Sequence, residues 1–198
     1  MRSVLQYFGD VRGKRILDAG CGKGRFSDLL LKAGAEVVGI DFSDELLQAT
    51  RNINGGGFFT QGGSLTRLPF KDNSFDYVFS IEVLEHIPDT EIAISELIRV
   101  LRTNGKILII DKNKCSLHQK LFVPPRILIK KYKEWSNQWM YPKDFVFVEK
   151  WFYPWELKRI MKIYCKGVEI EFLKENGRLF SLIPQINLFI AWKGLKHE

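Results

Sequence analysis

Short apolar runs ending in glycine or acidic residues alternate with segments of helical spacing along most of this 198-residue chain. Arg15 to Asp18 is an apolar strand signal running into a glycine turn, and from Gly24 to Gly34 the apolar Phe26, Leu29, Leu30 and Ala33 recur at helical intervals. Glu36 to Asp41 predicts a second buried strand, after which Ser43 stands as an N-cap, with Glu45 nearby, ahead of Leu46, Leu47 and Ala49. Phe58 to Gln61 and Phe75 to Ser80 predict two more strands, Thr90 to Arg102 a helix with Ile94, Leu97, Ile98 and Leu101 on one face, and Lys106 to Asp111 a fifth strand. A helix from Pro154 to Cys165 and strands over Val168 to Leu173 and Asn187 to Trp192 close the pattern. Such alternation calls for a parallel sheet covered on both faces, because each parallel crossover needs a connecting helix. The predicted fold is α/β: a doubly wound, mostly parallel seven-stranded sheet in one domain over 1–198, with a segment, 112–153, inserted after the fifth strand.

Composition narrows the class. A hydrophobic fraction of 45% and a charged fraction of 27% are ordinary for a globular protein. Cys21, Cys115 and Cys165 are odd in number and lack CxxC spacing, which fits neither a disulfide framework nor a zinc site. No run of about 18 apolar residues occurs and MRSVLQYFGD has no signal-like apolar core, so the expectation is a cytoplasmic protein. The net charge of +7 is unevenly spread: residues 1–111 carry 13 Lys and Arg against 15 Asp and Glu, whereas 112–153 carry 9 against 3 and hold 10 of the 26 aromatic residues. The inserted segment therefore needs its own explanation.

In a doubly wound sheet, ligands bind outside the carboxyl ends of the strands, which points to the turn Asp18-Ala19-Gly20-Cys21-Gly22-Lys23-Gly24. Alternate glycines permit a sharp bend and close approach of a ligand. A dinucleotide fingerprint would place its third glycine at position 25, which is Arg25, so the spacing is G-x-G-x-G instead. Asp41, ending the second strand, offers two carboxylate oxygens to a pair of ribose hydroxyls. Taken alone, Asp41 also has an ordinary reading as a helix N-terminal charge, and Cys21 one as packing.

The segments ILDAGCGKGRFS at 16–27, VVGIDFS at 37–43, LPFKDNSFDYVFSIEVLEHIPD at 68–89 and RVLRTNGKILIID at 99–111 resemble, in this order, the class I S-adenosylmethionine-dependent methyltransferases, in particular the methyltransferase type 11 subgroup. The resemblance covers roughly residues 14–111 and implies a Rossmann-like fold with S-adenosylmethionine as cofactor. It implies that Asp18, Gly20 and Gly22 line the methionine portion, that Asp41 binds the ribose and that Phe42 flanks the adenine. Where the family has an acidic residue five positions before the LPF proline, this chain has Ser64, followed by Leu65, which leaves a neutral hydrogen bond for the adenine amine. Ser80, Ile81 and Glu82, at the end of the fourth strand, are implied beside the sulfonium and the acceptor. His86 is the candidate general base for an acceptor that must lose a proton, although histidine also belongs to the loop architecture of this motif. Neither His118 nor His197 has metal-ligand spacing with it, so no metal is expected.

Segment 112–153 is longer than an ordinary loop and reads as a lid over the acceptor. Within it Leu128, Tyr132, Trp135 and Trp139 form one helical stripe, with Tyr132, Trp135 and Trp139 as candidate acceptor contacts and Lys130, Lys131 and Lys133 mostly off the stripe. A basic helix bearing tryptophans over 124–140 suits peripheral contact with an anionic membrane or a lipid-linked acceptor, and it equally suits packing on the sheet with solvated lysines. The expected acceptor is a small or lipid-like molecule methylated on oxygen or nitrogen. The rivals are tRNA or another RNA, and a non-catalytic module that binds S-adenosylmethionine.

Overall fold

Strands buried on both faces need near-continuous apolar sequence, and the first two strands show it. In β1 (Arg15–Ala19) every residue after Arg15 is buried, and in β2 (Glu36–Asp41) every residue after Glu36. They pair in parallel from Arg15 opposite Glu36 to Ala19 opposite Ile40. The computed structural model describes residues 2–50, 58–116, 149–173 and 187–197. β3 (Phe59–Gly62), β4 (Phe75–Ile81) and β5 (Leu101–Lys112) extend the parallel array, and β6 (Cys165–Phe172) and β7 (Phe189–Lys196) finish it in the order β3-β2-β1-β4-β5-β7-β6. β7 runs antiparallel to both β5 and β6. The seven mostly parallel strands match the fold predicted from the sequence.

Residues alternate between two apolar layers. Ile16, Val37, Phe79 and Leu108 face α1 (Arg2–Phe8) and α2 (Arg25–Lys32), where Val4, Phe8 and Leu30 complete the packing. Leu17, Val38, Val78 and Ile107 face α4 (Thr90–Val100) and α5 (Pro154–Tyr164). In α4 the buried Ala93, Ile94, Leu97 and Ile98 repeat at three- and four-residue intervals. α5 starts with Pro154, where a missing N–H costs nothing, and the Glu156 carboxylate accepts the Tyr153 N–H at 2.7 Å. The short α3 (Asp44–Ala49) is capped as expected, the Ser43 hydroxyl accepting the Leu46 N–H at 3.3 Å.

Several boundaries differ from the sequence reading, among them the last strand, which runs on to Lys196 rather than ending at Trp192. The helix expected to reach Arg102 ends at Val100, because Leu101 is already extended and pairs with Phe75 before the strand is interrupted at Asn104 (φ 60°). The last helix likewise stops at Tyr164, and Cys165 begins β6. Most of the inserted segment, including Tyr132, Trp135, Trp139 and the whole of 124–140, lies outside the described residues, as does His118. Its ends are described: Asn113 and Phe152 form a parallel bridge, with the Phe152 N–H donating to the Lys112 carbonyl at 3.0 Å. Among the described residues no helix is long and apolar enough to cross a membrane.

Candidate functional site

Because β1, β2 and β4 are parallel neighbours, the loops after them leave the same edge of the sheet. β1 is also where the strand order reverses, so the crevice beyond its carboxyl end is the expected ligand position. The turn after β1 is locked to β2 by two hydrogen bonds, from the N–H groups of Gly20 (2.8 Å) and Cys21 (3.0 Å) to the Ile40 carbonyl. Gly20 has φ 84°, and a Cβ added there would sit 2.2 Å from a methyl of Val83 in the loop after β4. Only glycine allows the two loops to approach this closely. The Cys21 thiol is buried against Gly39, and burial pushes its pKa up, a packing role rather than a nucleophilic one.

Asp41 joins the loops after β1 and β2. Its Oδ2 accepts the Gly22 N–H at 2.8 Å and its Oδ1 accepts the Ser43 N–H at 3.0 Å. Each oxygen retains a second lone pair for a ligand. Beyond it opens a cavity of about 410 Å³, the size of a small-molecule site. Gly20, Gly22, Asp41, Phe42, Ser64, Leu65, Glu82 and His86 all line this cavity, so the fold brings together eight of the residues singled out from the sequence. Phe42 is 47% exposed, an aromatic ring presented to the cavity. The Ser64 hydroxyl accepts the Thr66 N–H at 3.2 Å and bonds the Thr66 hydroxyl at 2.8 Å, which shapes this wall.

Two other expected residues stand back from the cavity lining. Asp18 lies beneath the turn, 3% exposed, its Oδ2 accepting the Ser27 hydroxyl at 2.6 Å. Burial pushes its carboxyl up to about 7, the nearby Asp41 charge adding to the rise and the Ser27 hydrogen bond opposing it. Ser80 is fully buried at the end of β4, and its hydroxyl has no hydrogen-bond partner among the described residues. The candidates Tyr132, Trp135 and Trp139 lie outside the described residues.

The cavity is acidic. Its ionisable lining among the described residues is Asp41, Glu82, Asp89 and His86, with no lysine or arginine, which suits a ligand carrying positive charge. Glu82 adopts φ 57°, an uncommon conformation for a non-glycine residue, held by its N–H on the Ile110 carbonyl at 2.8 Å. Behind this wall is a group of buried charges that the sequence reading passed over. Glu85, 1% exposed, contacts His86 Nε2 at 3.1 Å and Lys112 Nζ at 2.8 Å, and Lys112 also reaches Glu149 at 3.2 Å. Burial alone would raise the Glu85 pKa, but the hydrogen bonds and charges of His86 and Lys112 carry it below the usual range. Asp111 moves the other way, well above the carboxylate range, through burial and then the charge of Glu85. Glu85 stood inside the EVLEH segment, but its partners, the Lys112 ammonium and the Lys150 N–H, are 27 and 65 residues further on, and only the β4–β5 pairing and the return of the chain at 149 bring them together.

Residues 17–109 match the methyltransferase domain family. Among curated proteins, the chain is 35% identical over 108 residues to a malonyl-[acyl-carrier protein] O-methyltransferase of Erwinia billingiae, covering 54% of this chain and 43% of that protein. It is 29% identical over 196 residues to a demethylmenaquinone methyltransferase of Staphylococcus aureus, covering 91% and 76%. The chain spans less than half the length of the Erwinia protein, and 49% of a similar Streptomyces griseus demethylmenaquinone methyltransferase. An S-adenosylmethionine-dependent methyltransferase from Mesorhizobium loti superposes with a TM-score of 0.74 at 17% identity, covering 98% of this chain and 96% of that one. The fold is thus the Rossmann-like methyltransferase fold.

Proposed function

We propose, from the match of residues 17–109 to the methyltransferase domain family, that this chain is an S-adenosylmethionine-dependent methyltransferase acting on an oxygen or nitrogen atom of a small or lipid-like acceptor. The observation that carries the reading is the acidic cavity at the reversal of strand order, with Asp41 tied to the glycine turn at its edge. The similar proteins are named for malonyl-acyl-carrier-protein and demethylmenaquinone methylation, which supports an acceptor of that size and character.

The residues present fit S-adenosylmethionine. A Cβ added at Gly22 would meet nothing closer than Leu46 at 4.0 Å, so the turn leaves open space on the cavity side for the methionine portion beside Gly20 and Gly22. Asp41 would take the ribose hydroxyls through its remaining lone pairs, and Phe42, Ser64 and Leu65 would border the adenine. Asp18, behind the turn, would contribute negative charge to a cationic ligand, with Ser80 at the end of β4 beside it. Bound S-adenosylmethionine supplies an electrophilic methyl group on a sulfonium. The chain's own part is to hold two molecules in line and exclude water, and such positioning can supply roughly 7–11 kcal/mol of a reaction barrier. Glu82 and His86 border the acceptor side, where His86 would receive the proton of a hydroxyl or ammonium acceptor. Tyr132, Trp135 and Trp139, with any membrane contact through 124–140, belong to this proposal on sequence pattern alone.

The test is to incubate the protein with methyl-labelled S-adenosylmethionine and separate lipid, small-molecule and RNA fractions of a cell extract. Label in the lipid or small-molecule fraction, lost on Asp41→Ala, is the expected result. Label confined to RNA would overturn the acceptor assignment. Tight cofactor binding with no transfer to any fraction would favour the non-catalytic module.

A further inference from the structure

The short turn Leu84–His86, which brings His86 to the cavity, is backed by charges that cofactor binding leaves unexplained. Glu85 is almost wholly buried, and a carboxylate so far from water is costly unless cations hold it. Its Oε1 is shared by the Lys112 ammonium, Nζ at 2.8 Å, and by His86 Nε2 at 3.1 Å, which is a cation only when protonated. Lys112 in turn contacts Glu149, whose Oε1 accepts the indole N–H of Trp151 at 2.8 Å, and the Lys150 N–H donates to the Glu85 carbonyl at 2.7 Å. Lys112 alone would satisfy an ion pair that served only to anchor the turn. The imidazole on the same oxygen belongs to the one basic side chain that lines the cavity among the described residues.

We propose that Glu85 is a positioning residue for His86, holding its ring by the Nε2–H so that the histidine meets the acceptor in one tautomer, with Lys112 limiting the effect by sharing the same carboxylate oxygen. The inference rests on the reading of the cavity as the transfer site. As the acceptor is methylated, its O–H or N–H bond breaks, the bonding pair stays on the acceptor atom, and the proton passes to a ring nitrogen of His86. The imidazolium so formed is balanced by the Glu85 carboxylate, and the proton later leaves to solvent. The other charged groups around His86 are Asp111 on β5, Glu149 on the returning segment, and Asp41, Glu82 and Asp89 around the cavity. Glu85 and Lys112 differ from these in acting through one shared atom. Losing the anion weakens the proton affinity of His86, and losing the competing cation strengthens it.

The chain has three histidines, so the imidazoles can be followed by ¹⁵N–¹H NMR in the full-length protein, with His86 assigned through His86→Gln. In the parent, neutral His86 is expected as the Nε2–H tautomer. Glu85→Gln should lower its titration midpoint by about 1 unit or more, and Lys112→Met should raise it. An Nδ1–H tautomer, an unmoved midpoint in Glu85→Gln, or shifts of the same sign in both variants would overturn the proposal. If Glu85→Gln does not fold, the parent tautomer and the Lys112→Met shift still decide. Calorimetry with S-adenosylhomocysteine on the same samples reports separately on the cofactor reading, so failure of one is not mistaken for failure of the other.

Discussion

Replacing Gly20 by alanine should separate the two demands placed on this residue. The new Cβ would lie 2.2 Å and 2.7 Å from the two methyls of Val83, well inside ordinary van der Waals contact, on a backbone at φ 84°. Overpacking of this kind costs about 1–3 kcal/mol, and a left-handed conformation at a residue with a Cβ about 1–2 kcal/mol more. The combined loss of roughly 2–5 kcal/mol corresponds to a fall in melting temperature of roughly 4–20 °C for a chain this size. Val83→Ala alone is mildly destabilising, since it removes methyls from a partly buried residue. In the double variant it takes away the two methyls but leaves the Cβ at position 83, 3.0 Å from the new one, and the backbone strain. Thermal and denaturant unfolding of all four proteins should therefore give a favourable coupling of about 1–3 kcal/mol, with the double variant more stable than additivity allows. Strict additivity would refute the close approach of the loops after β1 and β4 on which the cavity geometry depends.

Asp18→Asn should raise the melting temperature at pH 8 but have little effect below pH 4. The burial-raised carboxyl contributes stability that is present below its unfolded value near 4 and lost as pH rises through about 7, at most about 4 kcal/mol, and unfolding followed from pH 4 to 8 checks the sign. Arg99 gathers the cavity-side loop by donating to the carbonyls of Leu68 (3.1 Å) and Phe70 (2.9 Å), while its partner Glu96 accepts the Leu68 N–H at 2.8 Å. Arg99→Ala is expected to lower the melting temperature and to weaken S-adenosylhomocysteine binding by at most about tenfold, because the bonds it loses lie within the protein and reach the ligand only through the order of the loop. Arg102→Ala, which loses Asp76 at 2.6 Å away from the cavity, should leave affinity unchanged, and calorimetry on both distinguishes the two.

β1 and β2 were legible almost to the residue because strands buried on both faces are mostly apolar, so Ile16-Leu17 and Val37-Val38 stand out against their surroundings, with the acidic residues Asp18 and Asp41 only near their ends. The opening of β5 was not, since Arg102, Thr103 and Asn104 are exposed and only the pairing of Leu101 with Phe75 extends the strand back to them. The start of β6 was hidden in the same way by exposed Lys166 and Gly167 at the sheet edge. α1 was missed because two anchors, Val4 and Phe8, make too short a periodic signal, although both are buried against the sheet. About half of the cavity lining was visible because it follows closely on strand ends. The support beneath it was not: Asp18 finds Ser27, and Glu85 finds Lys112, only once strands and helices have stacked.

Calorimetric titration with S-adenosylmethionine and S-adenosylhomocysteine, parent against Asp41→Ala and the more conservative Asp41→Asn, bears most directly on the cofactor site. Losing one charge-assisted hydrogen bond worth about 1.5–3 kcal/mol should weaken binding by roughly 10- to 150-fold in Asp41→Asn, and losing both should weaken it further in Asp41→Ala. Saturable binding by the parent with that loss in the variants is the predicted result. No heat of binding at millimolar ligand, or equal affinity in all three proteins, would contradict the assignment of this cavity.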